Sequence, residues 1–155
     1  MTTNPSPLPP IAPTGFIGNR EFVLTEWRFL LFGLLMAFWS SLGQTFFISL
    51  FSGQIRAALD LSHGDFGTYY ALATTASAIS LIWLGNLADM MRLEKLAVFI
   101  LGSLCVAAIL FSQISSLWML VGGLYLLRMF GQGMMIHVYT TAMARRYVVT
   151  RGRAI

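Results

Sequence analysis

The chain has 155 residues, of which 57% are hydrophobic and only 10% are charged, and its mean hydropathy is +0.73. A soluble domain typically carries about 25% charged residues, so this composition indicates an all-α integral membrane protein in contact with a lipid bilayer. The net charge of +4 does not indicate nucleic-acid binding, because the basic residues are scattered at the ends of apolar runs rather than gathered on one face. The chain has one cysteine and two histidines, and they are not spaced as metal ligands usually are. The sequence therefore predicts neither a metal site nor a cofactor.

The N-terminal segment, residues 1–27, is predicted to be a disordered cytoplasmic tail. All five prolines lie between Pro5 and Pro13, among small and polar residues that cannot form a packed core. The segment is not typical of a secretory signal, because no basic residue precedes Arg20 and the apolar stretch that follows is too long.

Four apolar segments follow within a transmembrane region at residues 28–144, and the predicted spans cover about residues 29–54, 65–84, 95–112 and 117–143. Each matches the ~20 residues with which a helix crosses a bilayer. The first span carries a polar stripe that should face protein or a water-filled path, formed by Ser41, Gln44, Thr45 and Ser52. The second span should begin near Asp65 as its N-cap, and its small residues favour close helix packing.

A charged hinge at residues 85–95 separates the second and third spans, and it sets the orientation of the chain. The basic residues predicted on the side of the hinge are Arg20, Arg28, Arg92, Lys95, Arg145, Arg146, Arg151 and Arg153. Arg56 is the only basic residue predicted on the opposite side of the membrane. Because cytoplasmic loops are enriched in Lys and Arg, we expect the hinge, both ends of the chain and the basic segment at residues 145–155 to be cytoplasmic. The expected location is the cell's inner (plasma) membrane.

Arg128 lies eleven residues into the fourth predicted span. A charge at that depth costs at least ~2.5 kcal/mol, so its side chain should face the interior of the bundle. Two roles remain open: a structural arginine bound to carbonyl groups or helix ends, or a residue that recognises an anionic substrate such as a carboxylate or couples ions. Helical spacing places Gln132, Met135 and Tyr139 on its face and His137 on the opposite face. For His137, a helix-packing hydrogen bond is favoured over a proton relay.

The hinge resembles the signature loop between the second and third helices of the major facilitator superfamily. The first half of that pattern is matched by Gly85, Leu87, Ala88 and Asp89. In the second half, the chain differs from the pattern at Met90, Arg92, Leu93 and Glu94. Arg92 and Lys95 could supply displaced positive charge.

Two further stretches are similar to the same family. Arg128 with Gly131 and Gly133 resembles the arginine and glycine motif of the family's fourth helix, one residue shorter in spacing. The residues Arg151, Gly152, Arg153 and Ala154 are similar to the approach to its fifth helix.

The resemblance implies a secondary active transporter whose two six-helix halves give alternating access to a small-molecule substrate, with a coupling proton or ion. The chain would then be an N-terminal fragment, inactive without the missing remainder of the carrier. Gly85, Asp89, Arg92 and Lys95 would form a cytoplasmic gating motif in which Asp89 acts as a latch, with a solvated loop charge as the alternative. Substrate or coupling candidates are Arg128, Gln132, Gln44 and Tyr139, and Gly131 and Gly133 would serve helix packing.

A second class of protein also explains four spans: a structural or assembly subunit that does not transport and binds other helices through its small-residue faces. An enzyme is not expected. Six acidic residues and two histidines offer no paired carboxylates and no nucleophile with an adjacent base.

Overall fold

The computed structural model describes residues 19–86 and 90–147, and over these residues the protein is helical with no strand. We number the helices in chain order: α1 (Asn19–Ser40), α2 (Thr45–Leu59), α3 (His63–Leu84), α4 (Leu93–Ser112), α5 (Leu117–Leu126) and α6 (Met135–Arg146). A short 3₁₀ turn, Ser41–Gly43, separates α1 from α2. A π-helical segment, Leu127–Met134, joins α5 to α6.

Three helical stretches within the described residues are long and apolar enough to cross a membrane: Arg20–Leu59, Leu93–Ser112 and Leu117–Arg146. They correspond to the first, third and fourth predicted spans, so the prediction of an all-α membrane protein is confirmed to this extent. The second predicted span forms α3, which is 22 residues long but is not among the three. Its hydroxyl side chains, which include Thr74, Thr75 and Ser77, lower its hydropathy.

The first helix begins at Asn19, so the predicted disordered tail at residues 1–27 extends too far. The reason is a contact with the end of the fourth span. Glu26 Oε2 accepts hydrogen bonds from Arg146 Nε at 2.8 Å and from the Tyr147 hydroxyl at 3.0 Å, and the Phe22 ring packs edge-on against Tyr147. These contacts keep the first two turns helical, while residues 1–18 lie outside the described residues.

The first span is broken near its middle, a feature that its continuous apolar pattern does not predict. Gln44 is extended (φ −79°, ψ 150°) after the 3₁₀ turn, so α2 starts a new hydrogen-bond ladder. Ser40 and Ser41 lie within one helical turn of Gly43, and nearby serine and glycine residues are a common cause of sharp helix kinks.

The start of α3 is a capping box rather than an N-cap at Asp65. Ser62 is the N-cap: its hydroxyl accepts from the Asp65 backbone N–H at 3.1 Å, and Asp65 Oδ2 accepts from the Ser62 backbone N–H at 3.2 Å. Asp65 therefore occupies the third position of the helix, and the Ser-x-x-Asp spacing is the sequence signal that identifies this geometry.

The fourth span is the centre of the bundle. Its α5 part packs on α3 and α4, its π segment packs on α3, α4 and the 3₁₀ turn, and α6 packs on α1. The larger buried core comprises Met36, Leu96, Ala97, Ile100, Leu104, Ala107, Leu127, Met134, Met135 and Val138. Large apolar side chains such as Leu34, Ile82 and Val98 are exposed on the outside, as expected of surfaces that face lipid.

Candidate functional site

The break in the first span lies against the π segment, and two glycines allow their backbones to touch. A Cβ added at Gly131 would lie 2.8 Å from Gly43 Cα, and a Cβ added at Gly43 would overlap the Leu127 carbonyl oxygen. Both glycines are close to the middle of their helical stretches, Arg20–Leu59 and Leu117–Arg146. The contact therefore lies deep in the apolar part of the bundle.

Arg128 fixes this junction with its side chain. Its Nη1 donates to the Gly43 carbonyl and to Thr45 Oγ1, both at 3.2 Å. Non-helical backbone at membrane depth has no water to satisfy it, so it needs a partner from the protein. Arg128 supplies that partner at Gly43, as the structural alternative for this residue predicts.

The same guanidinium also contacts α3. Its Cζ lies 5.4 Å from the centroid of the Tyr70 ring, a distance at which a cation is attracted to an aromatic face. The Tyr70 hydroxyl is 2.8 Å from Thr45 Oγ1, which closes the network. Arg128 thus links the fourth span to both α2 and α3.

No carboxylate pairs with Arg128 among residues 19–86 and 90–147. The acidic residues described are Glu21, Glu26, Asp60, Asp65 and Glu94, all at or near helix ends. In addition, Arg128 Nε is buried and has no hydrogen-bond partner in the described part of the chain. The positive charge is therefore held by neutral groups alone, and one of its N–H groups is unsatisfied.

A cavity of about 420 Å³ opens beside Arg128, between α3 and the fourth span. Its lining residues are Thr74, Ser77, Ala78, Leu81, Arg128, Gln132, Gly133, Ile136, His137 and Thr140. Gln132 Oε1 and Thr74 Oγ1 are, like Arg128 Nε, buried without a partner among the described residues. Most buried polar atoms in proteins are paired, and these three have almost no accessible surface, so they face the protein around the cavity rather than its open space.

The structure corrects the predicted face of Arg128. His137 lines the same cavity, whereas Tyr139 lies in a separate cavity against α1, and Met135 is fully buried in the core. The prediction assumed a uniform ~100° per residue. The π segment, with its i→i+5 hydrogen bonds, advances through a smaller angle per residue, so every residue after it is rotated from its α-helical position.

The remaining substrate candidate, Gln44, lies at the break rather than in the cavity. It is the N-cap of α2, its side chain makes no capping hydrogen bond, and it follows Gly43, whose carbonyl Arg128 binds. Of the four candidates, the structure brings Arg128 and Gln132 together in one cavity, places Gln44 at the break in the first span and places Tyr139 in a separate cavity.

The hinge residues are described in part. Gly85 ends α3, donating its N–H to the Leu81 carbonyl at 2.7 Å, and a Cβ there would lie 4.0 Å from His137 Nε2. Asp89 lies outside the described residues. Arg92 is the N-cap of α4 and pairs with Glu94 at 3.3 Å, and Lys95 is exposed. Both partners in that pair are largely exposed, and such pairs typically contribute ~0–1 kcal/mol.

A second polar cluster joins the two ends of the bundle on the predicted cytoplasmic side. Arg146 Nη2 lies 2.8 Å from Glu26 Oε2, and its Cζ lies 4.7 Å from the Phe29 ring centroid. Burial raises the pKa of the Tyr147 hydroxyl, and its hydrogen bond to Glu26 raises that pKa further. Sequence reasoning missed this cluster because its partners are about 120 residues apart and no periodic pattern connects them.

Comparisons of this chain with protein families, with curated proteins and with solved structures found no match.

Proposed function

We propose that this chain forms the first four membrane helices of a secondary active transporter of the major facilitator type, which moves a small solute by alternating access. The observation that carries the proposal is Arg128: a positive charge near the middle of the fourth span, without a carboxylate partner in the described residues, beside a cavity lined by both polar and apolar side chains. Ionisable residues at this depth generally mark solute or ion pathways. In this proposal the cavity is the part of the solute site that this half contributes.

The proposal requires α3 to cross the membrane as the second of four spans in a six-helix half. At 22 residues it would be ~33 Å long, enough for the ~30 Å hydrocarbon core. Two of its hydroxyl side chains face the fourth span: Ser77 lines the cavity, and Ser80 Oγ is 2.8 Å from the Tyr125 hydroxyl. Hydroxyl groups that bond to a neighbouring helix are compatible with a membrane helix of low hydropathy.

The hinge would then act at the cytoplasmic face of the inner (plasma) membrane. Asp89 would bind near a helix end in the second half of the carrier, a contact worth roughly 0.3–1 kcal/mol and therefore weak enough to break in each cycle. Gly85, Arg92 and Lys95 would complete the gating motif, and a proton or another ion would drive transport.

A second candidate function is a structural or assembly subunit that does not transport. It is favoured by a row of small residues on α3, Gly67, Ala71 and Thr75, which is exposed and unused within the described bundle. Such a row accommodates another helix closely. In a carrier, that helix would belong to the other half of the molecule; in a subunit, it would belong to a different protein.

Two measurements separate these functions. The first is the coding sequence after Ile155: about eight more apolar spans support the carrier, and a stop codon supports the subunit. The second is thiol labelling of Thr140→Cys, a cavity position, in a Cys105→Ser background, with Cys105→Ser alone as the control. In the complete carrier, alternating access predicts labelling by an impermeant reagent in both right-side-out and inside-out vesicles, whereas labelling from one side only would contradict transport.

A further inference from the structure

We infer that a groove on the outer surface of α4 binds an anionic phospholipid, with the phosphate at Lys95 and one acyl chain between α4 and the fourth span. The inference concerns the lipid-facing side of the bundle, so it goes beyond the transport or assembly role proposed above. It joins a recess in an exposed apolar surface, a cation at one end of that recess, and a length that matches one leaflet of the bilayer.

The groove has a volume of about 420 Å³ and lies between α4 and the fourth span. A gap in its wall is left by Gly102, because a Cβ built there would have no atom within 4 Å. The rings of Phe99 and Phe130 meet edge-on beside it, with centroids 6.2 Å apart. Val98 and Val106, which also line the groove, are 72% and 56% exposed. The recess is therefore open toward the outside of the bundle.

The surroundings of the groove favour an acyl chain as its occupant. The groove lies within Leu93–Ser112, a stretch that is long and apolar enough to cross a membrane. From Lys95 to Val106 a helix rises ~17 Å at 1.5 Å per residue, close to the ~15 Å of hydrocarbon in one leaflet. A lipid whose phosphate lies at Lys95 would thus place its chain along the whole groove.

The charge at the end of the groove selects an anionic lipid. Lys95 lies three and four residues before Val98 and Phe99, so it shares their face of α4 one turn nearer the helix start. Its side chain is exposed and has no ion-pair partner in the described part of the chain. The adjacent carboxylate of Glu94 is paired with Arg92 at 3.3 Å. Helical side chains lean toward the helix start, so Lys95 extends toward the membrane surface, where lipid phosphates lie.

The test is lipid binding to the purified full chain in detergent, measured as the change in melting temperature over a concentration series. The probes are dioleoyl phosphatidylglycerol, which is anionic, and dioleoyl phosphatidylcholine, which has the same chains and no net charge. Glycerol phosphate carries the anionic group without the chains, and it separates a lipid site from a site for free phosphate. We expect phosphatidylglycerol to bind about fivefold more tightly than phosphatidylcholine, the ratio that ~1 kcal/mol from one lysine near the membrane surface gives. Glycerol phosphate should have no effect.

Two pairs of variants assign the effect to the groove. Lys95→Gln should remove most of the preference for phosphatidylglycerol, whereas Arg56→Gln, in the last turn of α2, should keep it. Gly102→Leu should weaken the binding of both phospholipids several-fold, because the new side chain occupies the groove. Gly53→Leu is the matched control, since a Cβ at either glycine has no atom within 4 Å and leucine favours a helix more than glycine.

The inference is overturned if the two phospholipids bind equally, if glycerol phosphate stabilises the chain as much as phosphatidylglycerol does, or if Gly102→Leu leaves both affinities unchanged. It is also overturned if Arg56→Gln loses the preference as fully as Lys95→Gln does. Self-association of the chain that Gly102→Leu abolishes would overturn it as well, because a second copy would then occupy the groove. None of these outcomes depends on thiol labelling at Thr140, so the proposed function is tested separately.

Discussion

Gly43 and Gly131 bring two irregular pieces of backbone into direct contact at the middle of the bundle, with a Cβ on Gly131 only 2.8 Å from Gly43 Cα. One glycine belongs to the break in the first span and the other to the π segment of the fourth. Their contact brings the Gly43 carbonyl within reach of Arg128. The same junction therefore fixes the fold and positions the charged side chain of the cavity.

Gly131→Ala should destabilise the bundle, because the added methyl group would meet backbone atoms that have no room to move. We expect a loss of about 1–3 kcal/mol, the usual range for overpacking a core. Gly122→Ala is the matched control: it lies in the same span with no atom within 4 Å of the added Cβ, and alanine favours a helix more than glycine. Unfolding in detergent measures both, and equal effects would contradict the close contact.

The hydrogen bond between Ser80 and Tyr125 should stabilise the docking of α3 on α5. A double-mutant cycle with Ser80→Ala and Tyr125→Phe isolates it, and we expect a coupling energy of about 0.6 kcal/mol, the average for hydrogen bonds between membrane helices. A coupling energy indistinguishable from zero would mean that the two hydroxyls do not interact.

The pH dependence of stability should show the raised pKa of Tyr147. A raised pKa means that the folded state binds the proton more tightly than the unfolded state, so the stabilising contact is complete below the ordinary tyrosine value of about 10. It is lost as the pH rises through the raised value. We expect Tyr147→Phe to reduce the fall in melting temperature above pH ~10, and an unchanged fall would contradict the role of Glu26 as its acceptor.

In the complete carrier, Asp89→Asn should reduce uptake far more than it reduces ligand binding, because a latch acts on the conformational cycle rather than on the solute. The assay uses one transported solute for both measurements. Asp60→Asn is the matched control, an aspartate in the loop on the opposite side of the predicted membrane. Equal loss of uptake and binding, or no loss in either, would leave Asp89 as a solvated loop charge.

The sequence was sufficient for features that depend on composition and length. Apolar runs predicted four spans, and three of them are helical stretches long and apolar enough to cross a membrane. The polar stretch at residues 112–116 predicted the turn between α4 and α5. These predictions succeed because the bilayer imposes one simple requirement on every span.

The break and the π segment could not be predicted in the same way. Both are local departures from regular geometry, stabilised by each other through Gly43 and Gly131 and by Arg128. A rule with a constant angle per residue carries the resulting error to all later positions. For this reason the helix faces predicted for His137 and Tyr139 were wrong, although the helix that contains these residues was predicted.

The central claim is that the cavity beside Arg128 is reached from both sides of the membrane during transport, and labelling of a thiol in the cavity tests it most directly. The rate of labelling of Thr140→Cys by an impermeant maleimide, in the Cys105→Ser background of the complete carrier, is measured in right-side-out and in inside-out vesicles. We predict labelling in both preparations and none in the Cys105→Ser control. A thiol that reacts from one side only would contradict the claim.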